Sequence, residues 1–529
     1  MFVRITEHKN KDGSVRRYLY IVESYRDKEG KPRQRVMCLG RVEELEKKGK
    51  IEELIERLIE ISKKKAWVNI EKGLFVEWSK IWGPVYVFRK LWEESGLKEI
   101  LKKIREEYEI TFDLEEGIFQ MVLNRIVFPE SKRGMFLRWK GNYFWGKEDR
   151  LNLHHYYRSL SILAREMKRI EKELYLRGRD LFSEEPYLTL FDTTRVYFEG
   201  NGVEELAEYG YSRKNSDKKQ IIVGIVMREE GIPIMQKVFK GNQVDKESFR
   251  EAIKEIKERF GIKRTILVAD RGCVDREVIK EIEREGMEYI VGIRMRKMKE
   301  GREAIERKGR FSKGEDNLLV KEVRIGGRRY IVVKNEEEAE RERRIREEVL
   351  NSLREKIKEG RNTLIGNRAY RKFLKIEKGG IKINEKKVKE EEKFDGKWVI
   401  MTNTDIEKRK VARYYKELWR VERAFRELKD VLQIRPIWHW NKERVLGHVG
   451  ICFLALYLES YLGLKIKKGK SLRETIKEMD RLSVVKLRRD KGGNYLMRTE
   501  IPSSLCETFR ELKIGFPPRI LACNDTSLS

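Results

Sequence analysis

The sequence predicts an α/β protein of several domains, and three observations carry that expectation. From Pro186 onward, short apolar runs alternate with segments of helical period, as they do where strands and helices succeed one another. One of those runs, Ile266, Leu267, Val268 and Ala269, is apolar at every position, which suits a strand buried on both faces of a helix-flanked sheet. A chain of 529 residues also exceeds one ordinary hydrophobic core, so roughly two to four domains are expected.

Residues 1–40 read as a small β unit. The run 18–24 is apolar and β-branched, Asp27 to Pro32 supplies a turn, and 33–39 returns. Residues 41–183 read as a helical, DNA-binding region. Leu45, Ile51, Leu54, Ile55, Leu58 and Ile59 follow a helical period, and Pro129 and Gly134 punctuate the helices that follow. Within this region Phe136, Trp139, Tyr143, Phe144 and Trp145 interleave with Arg138, Lys140 and Lys147. That pattern suits stacking on bases and neutralising phosphates, or an aromatic core segment edged by solvated cations.

Residues 184–295 carry the clearest alternation. In the strand 187–198, Leu188, Leu190 and Asp192 share a face, so an acid lies in line with core leucines. Such an acid is costly unless it has a partner or a task. Strands 221–227 and 234–239, joined at Gly231 and Pro233, complete an antiparallel meander. A helix over 246–260 leads to the strand 265–269, which Asp270 ends just before Arg271 and Gly272. A helix over 275–284 and a strand over 288–293 follow, with Asp245 and Asp275 read as helix N-caps. Polar residues beyond the carboxyl ends of buried strands are where α/β sheets place their sites. Three antiparallel strands, a helix, and two parallel strands with a connecting helix is the order of an RNase H-like core.

Residues 296–395 interrupt that order and read as an inserted α+β subdomain. It comprises a hairpin over 318–333 turning at Gly326 and Gly327, a very polar helix over 336–360, and a strand-like stretch over 372–387. Residues 396–462 return to the core with a strand over 398–403 and a single helix over 415–429. On that helix Leu418, Val421, Phe425, Leu428 and Leu432 form an apolar stripe, while Tyr415, Trp419, Glu422, Arg426 and Lys429 fall on the adjacent face. The apolar stretch 449–464 is interrupted by Glu459 and Ser460 and reads as a buried helix, so no membrane partner is expected. Residues 463–529 form a basic C-terminal region.

A formal charge of +30 calls for a polyanionic partner, with nucleic acid foremost. The five cysteines are scattered without paired spacing, which supports neither a disulfide framework nor a zinc site and suits a reducing, cytoplasmic setting. Five histidines, of which only His154 and His155 are adjacent, argue against a histidine-rich metal centre. Carboxylates remain as ligands, and they suit hard cations.

With Asp192, Asp270 and Glu422 placed, the chain resembles an insertion-sequence DDE transposase with a β-containing insertion between its second and third acids. Phe191, Asp192, Thr193 and Thr194 resemble the first-acid segment, and Leu267 to Gly272 the second. The third acid of the family lies in a helix bearing Tyr, then Arg three on, Glu seven on and Lys fourteen on. Tyr415, Glu422 and Lys429 hold three of those places, but Leu418 stands where Arg is expected. Arg426 is the substitute by helical phase.

The resemblance implies metal-dependent cleavage at the ends of a mobile element and strand transfer into target DNA. It implies two Mg²⁺ or Mn²⁺ ions held by Asp192, Asp270 and Glu422, with Asp192 bridging both, and Tyr415 and Lys429 on substrate phosphate. Its partners would be double-stranded DNA, as terminal inverted repeats and target, and a second copy in an active homodimer, with the protein nucleoid-associated when bound. Trp419, Arg213, Lys214, Trp438 and His439 are further candidates for DNA contact. Trp438 and Trp440 suit either stacking on a base or covering the last helix, and His439 and His448 suit structural or DNA-contacting roles better than metal ligation. Two other functions compete: an RNase H-like nuclease without strand transfer, and an inactive or repurposed DNA-binding protein.

Overall fold

The computed structural model describes residues 1–61, 74–178, 187–210, 217–260, 265–270, 276–315, 317–358, 371–377, 380–467, 469–489 and 494–524. The chain forms two compact units, a smaller one that begins with Met1–Trp78 and a larger one of Ser79–Val485 with Met497–Leu521.

In the smaller unit, β1 (Phe2–Lys9), β2 (Val15–Arg26) and β3 (Pro32–Arg41) form an antiparallel sheet with β2 in the centre. The first strand goes beyond the sequence expectation, because its apolar residues are diluted by Arg4, Glu7 and His8. It pairs with β2 over its whole length, from Phe2↔Val22 to Lys9↔Val15. Helices α1 (Val42–Lys47) and α2 (Lys50–Ile61) follow, α1 being tied to β2 by the ion pair of Arg17 and Glu43 at 3.0 Å.

The larger unit begins with α3 (Gly83–Glu94), α4 (Leu97–Glu107), α5 (Leu114–Val127) and α6 (Leu153–Arg177). Helix α5 is buried from Leu114 to Ile126, since hydrophobic residues occupy all its faces and its polar ones are paired inside. Glu115 and Glu116, for example, both meet Arg89, at 2.7 and 2.8 Å. The stretch 136–145 takes the core alternative: Trp139 and Tyr143 are buried with ring centroids 4.4 Å apart, and Lys140 pairs with Asp149 at 3.0 Å.

Nine strands then form one sheet. In chain order they are β4 (Tyr187–Tyr197), β5 (Gln220–Arg228), β6 (Pro233–Lys240), β7 (Thr265–Ala269), β8 (Glu288–Gly292), β9 (Ser312–Lys313), β10 (Leu318–Ile325), β11 (Arg328–Asn335) and, after a short hairpin described below, β14 (Lys397–Thr402). Their spatial order is β9-β10-β11-β14-β8-β7-β4-β5-β6. Strands β4, β5 and β6 run antiparallel, whereas β4, β7 and β8 are parallel neighbours. Helix α7 (Asp245–Phe260) leads from β6 to β7, and α8 (Arg276–Arg284) connects the parallel β7 and β8. They cover one face, where Phe191, Phe249, Ile253, Leu267, Val278 and Tyr289 share a core.

Residues 296–395, expected to interrupt the core, supply part of this same sheet. Strand β11 pairs antiparallel with β14 from Arg329↔Thr402 to Lys334↔Lys397, so the hairpin β10–β11 extends the sheet. Val320, Ile331, Val332 and Val333 are fully buried there, which edge strands of a detached subdomain would not achieve. The remainder of this segment holds α9 (Lys299–Glu306), α10 (Glu336–Lys358), the hairpin β12 (Leu374–Glu377) and β13 (Gly380–Ile383), and α11 (Glu385–Glu392).

The expected single helix over 415–429 is broken. Helix α12 (Lys408–Lys416) ends at a turn over Glu417 and Leu418, α13 (Trp419–Arg426) follows, and a π-helical turn, Glu427–Val431, ends the run. At the break, i+3 bonds such as Arg420 N–H to Glu417 O at 2.9 Å and Val421 N–H to Leu418 O at 3.0 Å tighten the chain. The apolar period persists across the break, with Val421, Phe425, Leu428 and Leu432 buried and Leu418 half-buried.

Helix α14 (Lys442–Lys465) is long and apolar enough to cross a membrane by length and composition, yet it is mostly buried within the larger unit. It packs on α5 and α6, and Gly447 permits the approach: a Cβ there would lie 2.1 Å from Leu160 O of α6. Two more helices, α15 (Leu472–Met479) and α16 (Ser503–Glu511), lie in the basic C-terminal stretch.

Candidate active site

The site lies on the sheet face opposite α7 and α8. Parallel pairing of β4 with β7 sets Leu188 against Ile266 and Leu190 against Val268. Two residues on, on the same face, the register brings Asp192 opposite Asp270. The local sequence explains both placements. Leu188, Leu190, Ile266 and Val268 anchor the strands in the core; Asp192 opens a polar run, Asp192 to Arg195, midway along β4, and Asp270 follows the last residue of β7. Asp192 is half-buried, and its Oδ1 accepts the Thr193 backbone N–H at 2.8 Å. Asp270 is exposed, and its Oδ1 accepts the Tyr415 hydroxyl at 3.1 Å.

Helices α12 and α13 lie over this face, α12 on β7 and β8 and α13 on β4 and β5. Tyr415, Glu422 and Lys429 are each seven residues apart, close to two helical turns. The first reaches Asp270; the last feels the charge of Asp192. Burial chiefly, and then Arg435, hold the Lys429 ammonium below its ordinary range, while Asp192 opposes them. Glu422, between them in sequence, is exposed on the first turn of α13. Arg426, one turn on, is also exposed, and neither residue makes an ion pair or side-chain hydrogen bond among the described residues.

The structure therefore brings Asp192, Asp270, Tyr415 and Lys429 together and leaves Glu422 beside them. Among the described residues, no three His, Cys, Asp or Glu side chains converge closely enough to hold a metal ion. The two in-register carboxylates, one of them open to solvent, are a donor set that fits a hard divalent cation, and Glu422 stands on the adjacent helix.

The segment after the π turn is fastened from several sides. Arg125 Nη1 donates to Gln433 O at 3.2 Å, the buried His448 Nε2 meets Ile434 O at 3.0 Å, and Ile437 N–H donates to Tyr197 O at 3.1 Å. This holds Trp438 and Trp440 in the open, 62% and 74% exposed, so neither covers the last helix. His439 is half-buried near Tyr157 and His448, and burial, with Lys132 and Arg125 nearby, pushes its imidazole down to about 3. It is a neutral ring near neutral pH. Trp419 lines a separate cleft with Arg420, Arg423, Lys467 and Arg473. Arg213, Lys214, Arg271, Gly272 and Asp275 lie outside the described residues, as does the side chain of Asp245. Sequence reasoning missed the Tyr415 to Asp270 bond, which joins residues remote in the chain, and the nearness of Arg435 to Lys429, which depends on the chain folding back after the π turn.

The family of transposase DDE domains matches residues 183–458, more than half of the chain. The chain belongs to the DDE transposases. Residues 3–69 of this transposase match the N-terminal domain of IS1634 family transposases, which makes it an insertion-sequence enzyme acting on DNA. A search of characterised proteins gives no significant match. Among solved structures, a piggyBac transposase synaptic complex with hairpin DNA has a TM-score of 0.37 and 11% identity, over 75% of this chain and 79% of that one. A likeness that distant carries no argument about the fold. Divalent metal ions serve the DDE transposases generally, in keeping with the carboxylates of this transposase.

Proposed function

We propose that Asp192, Asp270 and Glu422 hold two Mg²⁺ or Mn²⁺ ions, and that the transposase uses them to cut at the ends of its element and join those ends to target DNA. The observation that carries this reading is the common register of Asp192, midway along β4, and Asp270, just past the carboxyl end of its parallel neighbour β7. The antiparallel β4-β5-β6 set beside parallel β7 and β8 supports an RNase H-like core, with β9–β11 as its inserted extension. When bound, such ions make the attacking water or 3′-hydroxyl more acidic and stabilise the leaving oxygen.

The protein's own groups do the rest. Tyr415 holds one oxygen of Asp270 in place. The Thr193 N–H does the same for Asp192. Glu422, open and unpaired among the described residues, is available to complete the ligand set when DNA draws the helix closer. Lys429 and Arg426 neutralise the substrate phosphate, and the exposed Trp438 and Trp440 offer faces on which bases stack. Direct attack by water and then by the 3′-hydroxyl needs no covalent intermediate with the enzyme. Pairing two ends calls for a homodimer in the active complex.

Incubating wild type with end-containing DNA and Mg²⁺ should give cut ends and joined products. Asp192→Asn, Asp270→Asn and Glu422→Gln should each give neither, while still binding the ends. Cutting without joining by wild type would favour a nuclease lacking strand transfer, and cutting by any of the three variants would remove that residue from the site.

A further inference from the structure

We propose that Gly292 is a positioning residue, whose missing side chain seats the Tyr415 phenol against Asp270 and so fixes that carboxylate for metal binding. The inference rests on the reading of Asp192 and Asp270 as metal ligands. Pairing of β7 with β8 sets Ala269 against Val291, so the next rung sets Asp270 beside Gly292. Asp192, Asp270 and Gly292 thus stand at one level across three adjacent strands. On the far side of Gly292, Ile400 of β14 continues the row.

Helix α12 crosses β8 at this level and lowers the Tyr415 ring into the gap that the glycine leaves. A Cβ built on Gly292 would lie 2.1 Å from the Tyr415 hydroxyl, 2.8 Å from Cζ and 3.1 Å from Cε2. Real Cβ atoms do not approach so closely, and the obstacle is a rigid ring whose hydroxyl is already engaged by Asp270. The backbone of Gly292 lies outside the left-handed region, so its conformation is open to any residue. What calls for glycine is the ring above it. A group that orients a metal ligand typically changes metal affinity or activity about 10–100-fold when lost.

The test uses the full-length protein and Mn²⁺, with binding followed by electron paramagnetic resonance. Gly292→Ala should bind Mn²⁺ about 10–100-fold more weakly than wild type, and Tyr415→Phe, which keeps the ring and loses the hydroxyl, should show a similar loss. In a Tyr415→Leu background, where the ring is gone, Gly292→Ala should cost nothing further. Wild-type Mn²⁺ affinity in Gly292→Ala, or losses that multiply in the double variant, would overturn the inference. If Gly292→Ala does not fold, Tyr415→Phe and the double variant carry the same comparison. Asp192→Asn and Asp270→Asn distinguish the two claims: Mn²⁺ binding equal to wild type in both refutes the metal reading itself. A crystal structure of Gly292→Ala then decides the packing. A Tyr415 hydroxyl displaced from Asp270 supports the positioning role, and an unmoved one refutes it.

Discussion

Neutralising Asp192 should stabilise the metal-free protein and abolish its response to Mg²⁺. Asp192 and Asp270 face each other across neighbouring strands, which lie about 4.8 Å apart. Two carboxylates at about 5 Å repel by about 1 kcal/mol at the dielectric of water and about 3 kcal/mol at an effective value of 20. Exposure of Asp270 and the nearby Lys429 favour the lower figure. Asp192→Asn keeps an oxygen to accept the Thr193 N–H, so that bond survives the substitution. With chelator present, the variant should melt about 2 °C higher than wild type, by the scaling of about 2–4 °C per kcal/mol for smaller domains. With Mg²⁺ at ten times its dissociation constant, wild type should gain about 1.4 kcal/mol and the variant nothing, so the order reverses. Differential scanning calorimetry with chelator and with Mg²⁺ reads both effects. A variant that melts lower than wild type in chelator, yet rises with Mg²⁺ as wild type does, would refute the shared-charge argument.

Other parts of the molecule give independent tests. Asp480 is partly buried with Oδ1 lacking a hydrogen-bond partner among the described residues, and burial pushes its carboxyl up to about 6. Stability linked to it is fully present below the ordinary aspartate range and lost as pH rises through about 6, a difference of about 3 kcal/mol. Asp480→Asn should therefore raise the melting temperature at pH 8 and leave it unchanged near pH 3.5; an equal rise at both would assign the effect to packing. Trp438→Ala and Trp440→Ala should each weaken DNA binding by about 1–3 kcal/mol without altering its salt slope, as lost stacking does. Unchanged affinity in both would remove these rings from the DNA surface. Arg426→Ala should lower the slope of log affinity against log salt by about one phosphate contact, and an unchanged slope would place this guanidinium away from the backbone.

The strands of the sheet were legible because a buried strand needs a run such as Ile266 to Ala269 that no exposed segment tolerates. Asp192 and Asp270 were legible for the same reason, as acids in phase with buried leucine and valine. The break between α12 and α13 was not, because the apolar period continues through Leu418 and Val421 whether the turn bonds to i+3 or i+4. Nor was the union of β11 with β14 legible, since pairing across some sixty residues leaves no local trace. The sequence left open whether Trp139 and Tyr143 meet bases or one another; their burial against each other, rings tilted, decides for the core. Tyr415 was expected on phosphate from the helix signature, yet its hydroxyl meets Asp270, a contact that depends on a glycine more than a hundred residues earlier. Exposure of Glu422 was the hardest to foresee, because helical phase sets it only at the border of the core.

The central claim is that Asp270 acts in DNA cleavage as a metal ligand. Asp270→Cys places a thiolate in its position, a donor that Mg²⁺ accepts poorly and the softer Mn²⁺ accepts better. Cleavage of end-containing DNA by this variant should be lost in Mg²⁺ and substantially restored in Mn²⁺. Full activity in Mg²⁺, or no recovery in Mn²⁺ by a folded variant that still binds DNA, would contradict the claim.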